Sequence, residues 1–157
     1  MERRRPGIVR AGRCQDTAGR AEGTIGTGSQ IVIDKTDPTL RVTLLPRDTN
    51  KYGTIFGGVI MSHIDLAGAL EARKSCGSHN YVTVAIDKVI FHEPVFVGEP
   101  VSFYTETLKV GHTSVTIKVI VEATRADTQK AVRVTEAEIV FVAVDANWKP
   151  VPVRLQK

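Results

Sequence analysis

From Gly57 to Lys74 the chain carries no proline and is rich in Ala, Leu, Ile and Met, the composition of a helix. At about 100° per residue, Gly58, Ser62, Asp65, Ala69 and Ala72 fall on one narrow face, small side chains around a single carboxylate. Most of the remaining helix surface is apolar, so the pattern predicts a helix buried nearly all round. Gly77-Ser78 closes it, and Arg73 and Lys74 suit the negative end of its dipole. Upstream, Thr39–Leu45 reads as a strand ended by Pro46, Ile31–Ile33 as the start of an earlier one, and Arg47–Gly53 as the loop that feeds the helix. Downstream come four strand candidates. Tyr81–Phe91 is rich in Val and Ile, and Val101–Val110 follows the turn Pro94–Pro100. Gly111-His112 makes a tight hairpin into Thr113–Ala123, where Val115, Ile117, Val119 and Val121 alternate with mostly polar neighbours. Ala126–Lys130 turns into Ala131–Val144, which is apolar on both faces from Ile139 and is expected in a central position. The tail Asn147–Lys157, with two prolines, is expected to wrap the surface. Strand, long helix, then four long strands predicts an α+β fold, an antiparallel meander curled around one buried helix.

At 157 residues and 42% hydrophobic, the chain can bury roughly two-thirds of its surface as one domain. No apolar run reaches the roughly 20 residues needed to cross a bilayer, which argues against membrane insertion. Cys14 and Cys76 form no C-x-x-C pair and no disulfide framework, a pattern that fits a reducing cytoplasm. The net charge of +4 changes meaning with its location. Arg3, Arg4, Arg5, Arg10, Arg13 and Arg20 face only Glu2 and Asp16 in the first 20 residues, and that excess accounts for the whole charge. The body is neutral, so a nucleic-acid interface on it is not expected. Residues 1–28 read as a disordered Arg- and Gly-rich leader, and 29–157 as the single domain. The leader lacks the apolar core of a secretory signal, and Pro6, Gly7, Gly12, Gly19 and Gly23 spoil the amphipathic helix of a transit peptide.

The candidate chemistry is concentrated at Asp65. An acid on an apolar run is costly to bury unpaired, so it is either a paired structural group or a working one. His63, His79, His92 and His112 are scattered without ligand spacing such as H-E-x-x-H, and no metal is expected. No serine sits in a G-x-S-x-G elbow and no glycine-rich phosphate loop ends in Gly-Lys, so serine-hydrolase and nucleotide-hydrolase readings lack support. Cys76, at the helix end, reads as a small core residue.

The run Pro46-Arg-Asp-Thr-Asn50-Lys-Tyr-Gly53-Thr-Ile-Phe-Gly57-Gly58-Val-Ile-Met-Ser-His-Ile-Asp65-Leu-Ala-Gly68 resembles hot-dog-fold acyl-CoA thioesterases, in particular the bacterial YciA type and the related brain-type acyl-CoA hydrolases. Phe91-His-Glu-Pro94-Val-Phe-Val-Gly98-Glu-Pro-Val matches a second shared stretch, and Phe141-Val-Ala-Val-Asp145 a third. The resemblance covers about residues 39–150. Thr54 stands where relatives often have Asp or Asn, and His63 where YciA types tend to have Gln; neither change removes a family catalytic position. The resemblance implies a hot-dog fold, a long central helix wrapped by about five antiparallel strands. It implies hydrolysis of acyl-CoA to a carboxylic acid and CoA without a cofactor, with Asp65 as general base or nucleophile. Asn50 matches the Asn or Gln that lies near the carbonyl or the water in relatives. Subunits of this fold pair, giving two composite sites, and hexamers are common.

Spacing bears on that arrangement. The free N–H groups of a helix N-terminus are donors for a developing oxyanion, and Gly57 and Gly58 let a substrate approach them. Asp65 lies eight residues further on, about 12 Å along the same helix. One thioester carbon cannot lie within about 3 Å of both. If both act, they come from different copies of the chain, with the two helices antiparallel in a homodimer. Simpler roles stand beside these: Asn50 as an Asx-turn residue, Gly57-Gly58 as a site of close helix–sheet packing, Asp65 as a structural acid. Two other readings are a non-catalytic acyl-CoA sensor and a hydratase of the same fold. The first would call for a DNA-binding segment, and the leader has no helix-turn-helix pattern. The second would call for a His in the Asp65 position. Arg73, Lys74 and Lys88 are candidates for the CoA nucleotide by charge alone.

Overall fold

Twenty residues from Gly57 to Cys76 form α1, the long helix of the computed structural model, which describes residues 37–155. The leader 1–28 and the Ile31–Ile33 candidate strand lie outside the described residues. Around α1 curve β1 (Leu40–Thr43), β2 (Asn80–Phe91), β3 (Pro100–Val110), β4 (Ser114–Thr124) and β5 (Ala131–Val144). They form one sheet in the order β1-β3-β4-β5-β2, antiparallel throughout. This is the α+β wrapped-helix architecture that the sequence implied.

The four long strands are not a simple meander. β3, β4 and β5 are, but β2 lies at the far edge beside β5, from Asn80 opposite Val144 to Phe91 opposite Thr135. The link from β2 to β3 explains the crossover. Gly98 turns in it with φ +83°, and its backbone is tied to the segment that precedes α1. Ile55 N–H donates to Val95 O at 2.8 Å, and Gly98 N–H to Leu44 O at 3.1 Å. Arg125, in the β4–β5 turn, clamps the same link through Pro94 O at 2.8 Å and the buried Glu99 carboxylate at 2.9 Å. The link thus carries the chain across the sheet past the entrance of α1.

The alternation in β4 reads true in three dimensions: Val115, Ile117, Val119 and Val121 are all fully buried against the helix layer. Phe103, Ile139, Phe141 and Ile64 complete that core. Gly68 lets α1 and β5 come this close, because a Cβ there would stand 2.8 Å from the Phe141 ring. β5 is interior, with β4 on one side and β2 on the other, although β4 holds the middle of the sheet. The tail folds back rather than simply wrapping. Pro150 pairs with Val144, Val153 N–H donates to His112 O at 2.9 Å, and Val153 is buried.

The helix is not buried all round. Ile60, Ile64, Ala67 and Ala72 face the sheet, but Met61, Leu66 and Leu70 are 38%, 49% and 39% exposed. One sheet covers one side of a helix; at about 100° per residue Leu66 and Leu70 lie on the side away from it and Met61 on its flank. Among the described residues no helix is long and apolar enough to cross a membrane.

Candidate active site

The entrance to α1 is built by a short loop. Pro46–Asp48 make a single 3-10 turn, capped by Leu45 N–H donating to Asp48 Oδ2 at 2.9 Å. Thr49 and Ile55 then pair across a small hairpin in which Gly53 turns at φ +81°. Asn50 holds this hairpin. Its Oδ1 accepts from Tyr52 N–H at 2.8 Å and Thr54 N–H at 3.4 Å, and its Nδ2 donates to Thr54 Oγ1 at 2.9 Å. That is the Asx-turn role. An amide has two N–H donors, so one Nδ2–H remains for another acceptor.

Phe56 follows as the N-cap of α1 and offers no side-chain acceptor to the first turn. Val59 N–H donates to Phe56 O at 2.9 Å, and the Gly57 and Gly58 N–H groups have no partner among the described residues. Two unsatisfied donors at the positive end of a 20-residue helix make an anion-stabilising corner. The glycines also make room for rings. A Cβ on Gly57 would meet the Phe91 ring at 3.3 Å, and one on Gly58 would collide with the Phe56 ring.

Asp65 sits on the flank of α1 that faces β2, partly buried. One oxygen, Oδ1, accepts a short hydrogen bond from Thr83 Oγ1. Thr83 lies on the edge strand of the sheet, so this bond ties the carboxylate to that strand. Neither Asn50 nor the Gly57 and Gly58 backbone is bonded to Asp65. Within one chain Gly57 and Asp65 lie about 12 Å apart along the helix axis. Ile86, Ile90 and Phe91 on β2 are exposed as well.

The histidines stay apart. His63 donates from Nδ1 to Val59 O at 2.9 Å and stacks on Phe103 with ring centroids 5.8 Å apart, a packing role. His79 meets Tyr81 edge-on, and His92 lies 3.8 Å from Glu136. Among the described residues no three His, Cys, Asp or Glu gather to hold a metal ion. Of the basic candidates, Lys88 pairs with Glu138 at 3.3 Å, and Arg73 and Lys74 stand exposed in the last turn of α1.

Two features were not foreseen. Glu71 is a second acid on α1 and more deeply buried than Asp65. It is 8% exposed and accepts from the hydroxyls of Ser75, Thr105 and Thr107. Its signal lay in the row Ile60, Ile64, Ala67, Glu71, where i, i+4, i+7 spacing put an acid in line with core positions. Nearby, burial raises the Cys76 thiol above its ordinary value, and the Glu71 charge adds to the rise. Burial also pushes Tyr81 up to about 12, with Cys76 adding and Arg73 opposing. The second feature is a cleft beside Gly57, bordered by Ile55, Ile60, Phe91, Val95 and Thr135. Its walls come from the entrance loop, α1, β5 and the run Phe91-His-Glu-Pro94-Val, which carries part of the family resemblance but gives no sign in sequence of the cleft it helps to build.

Comparison with known proteins gives one answer. The thioesterase superfamily pattern matches residues 52–132. An uncharacterised acyl-CoA thioester hydrolase of Haemophilus influenzae is 42% identical over 113 residues, 70% of this chain and 73% of that protein. The acyl-CoA thioester hydrolase YciA of Salmonella typhimurium is 38% identical over 74% of this chain and 90% of its own length. The crystal structure of a hexameric hot-dog-fold thioesterase of Campylobacter jejuni superposes with a TM-score of 0.73 at 42% identity, covering 77% of this chain and 92% of that one.

Proposed function

This chain belongs to the thioesterase superfamily, and on that premise we propose that it hydrolyses acyl-CoA thioesters to a free carboxylic acid and CoA. The observation that carries the reading is the pair of half-sites on α1: unsatisfied Gly57 and Gly58 N–H groups at one end, and the Thr83-held Asp65 carboxylate beside the open edge of β2. The thioester carbonyl oxygen takes the Gly57 and Gly58 N–H groups of one chain. Asp65 of a second chain removes a proton from water, whose oxygen adds to the carbonyl carbon. Charge that develops on the carbonyl oxygen is stabilised by the two N–H groups and the helix dipole. The C–S bond then breaks, and the proton held by Asp65 goes to the departing CoA sulfur. In the covalent variant Asp65 itself attacks, expels the CoA thiolate and leaves a mixed anhydride that water hydrolyses. The remaining Asn50 Nδ2–H serves the carbonyl or the water.

The minimal active unit is a homodimer. The exposed Leu66 and Leu70 of α1 and the outer edge of β2, which among the described strands pairs only with β5, support this reading, because a second copy laid antiparallel would cover them and bring each Asp65 to the other's Gly57. The hexameric assembly of the Campylobacter relative supports a trimer of such dimers. The free, buried Cys76 thiol fits a reducing compartment, and we place the reaction in the cytoplasm.

Release of free thiol from a panel of acyl-CoAs, followed by absorbance, tests the activity. Turnover of at least one chain length is expected; binding without turnover would make the protein an acyl-CoA-binding module instead. Asp65→Asn keeps the shape and removes the basicity. It should lower kcat by about 10²-fold or more while the protein stays folded. A variant that loses stability but keeps full activity per folded molecule would make Asp65 a partner of Thr83 and nothing more.

A further inference from the structure

The cleft beside Gly57 has a volume of about 260 Å³. Ile55, Ile60, Phe91, Pro94 and Val95 give it apolar walls, His92 and Glu93 also line it, and Thr135 of β5 borders it. Thr135 is 1% exposed, and its Oγ1 is buried without a hydrogen-bond partner. Such orphaned hydroxyls are rare in folded proteins because an unmet hydrogen bond is costly. Phe91 stands directly opposite Thr135 across the β2–β5 ladder, and the far end of its ring reaches the backbone of Gly57. The Phe91 side chain therefore runs from the Thr135 pair to the unsatisfied N–H corner. A carbonyl oxygen held at that corner would leave its acyl chain at the apolar mouth of the cleft.

We propose that this cleft receives the acyl chain, and that Thr135 favours chains bearing a hydroxyl or keto oxygen over plain alkyl chains of the same length. The inference rests on the hydrolase reading above and adds a substrate class to it. A cleft of this size suits chains of short to medium length. A plain chain covers the apolar walls but leaves Thr135 unpaired. An oxygen-bearing chain meets both demands. Thr135 lines the cleft and its hydroxyl has no partner of its own, so an oxygen on a bound chain is the acceptor or donor it lacks. A site that pairs with a substrate oxygen discriminates against the analogue lacking it, because the site's own polar group is then left unmet.

The test compares kcat/KM for hexanoyl-CoA with that for 3-hydroxy- and 5-hydroxyhexanoyl-CoA, in wild type, Thr135→Val and Thr135→Ser. The wild type should prefer at least one hydroxylated chain by about tenfold or more. Thr135→Val has the same shape without the hydroxyl and should abolish the preference; Thr135→Ser should keep it. Equal rates on plain and hydroxylated chains in the wild type overturn the proposal, whatever the stability of the variants. So does a preference that survives Thr135→Val. No turnover of any of the three substrates, or of the wider acyl-CoA panel, defeats the hydrolase reading and this one with it. Turnover without preference defeats this one alone.

Discussion

Replacing Gly68 by alanine tests how tightly α1 is seated on the sheet. Gly68 lies in the middle of the helix, where a glycine is ordinarily a weakness; exchange for alanine there gains about 1 kcal/mol from backbone entropy alone. At this position the gain meets an obstacle. The new methyl would stand 2.8 Å from Phe141 Cε2, 3.0 Å from Cζ and 3.4 Å from Ile139 Cδ1. Phe141 is fully buried between Val115 of β4 and Thr83 of β2, so its ring has no free space to retreat into. Overpacking of this kind costs about 1–3 kcal/mol. The net expectation is a loss of about 1 kcal/mol, seen as a lower urea midpoint with an unchanged slope. Protein concentration must be held fixed, since assembly contributes to apparent stability. The decisive comparison is the same exchange in a Phe141→Leu background. There the obstacle is gone, and Gly68→Ala should be neutral or stabilising. An equal loss in both backgrounds would refute the steric argument, and a gain in the wild type would show that the ring moves freely.

Glu71→Ala should lose about 3 kcal/mol or more, since the three hydroxyls that donate to Glu71 lose their acceptor at about 1–3 kcal/mol for each group left unmet. Glu71→Gln, which keeps an acceptor oxygen, should lose clearly less by the same urea titration; equal losses would contradict this account. Tyr81 carries a buried phenol oxygen without a partner and a folded-state pKa pushed up to about 12 from its ordinary 10. Its neutral form is favoured in the folded state, so the contribution is fully present below pH 10 and is lost as pH rises from 10 toward 12. Tyr81→Phe should flatten that part of the stability profile and leave neutral-pH stability unchanged or higher, as read by unfolding at a series of alkaline pH values.

The sequence disclosed what depends on neighbours along the chain. The alternation from Val115 to Val121 marks β4, because in a strand sequence parity is spatial side. Asp65 stood out because it is an acid in an apolar run. Strand order was hidden because it is set by ties between distant residues. Val95 to Ile55, Gly98 to Leu44, and Arg125 to Glu99 steer β2 to the far edge, and none of these pairs has a local signature. The exposed apolar residues of α1 were hidden for a different reason. Met61, Leu66 and Leu70 look alike in sequence whether they face their own sheet or another copy. Glu71 was hidden by the charges after it: with Arg73 and Lys74 it reads as the polar end of a helix, yet its side chain turns inward to Thr105 and Thr107. Asn50 shows the opposite limit. Its turn reading was legible and the hairpin uses it so, with one Nδ2–H donor left over.

The separation of the half-sites sets the most exacting test. About 12 Å between Gly57 and Asp65 along one rigid helix excludes a common thioester carbon within one chain. Two individually inactive variants should therefore repair one another. Asp65→Asn supplies one lesion. For the other, Asn50→Ala would also dismantle the hairpin held through Tyr52 N–H and Thr54 N–H. Asn50→Asp is the better choice: it keeps the accepting oxygen, lets Thr54 Oγ1 donate in return, and removes the remaining Nδ2–H donor. Let the two proteins exchange subunits, and confirm mixed dimers by mass spectrometry. If the site is shared, each mixed dimer has one site carrying both lesions and one carrying neither. Activity should then return toward half that of the wild type per mixed dimer. If both residues act within one chain, every site keeps one lesion and nothing returns. Should Asn50→Asp alone prove fully active, Asn50 is a turn residue only, and the second lesion moves to the carbonyl corner. Gly57→Val then brings a side chain against the Phe91 ring and over the donor it must expose. The same exchange with Asp65→Asn decides between one chain and two.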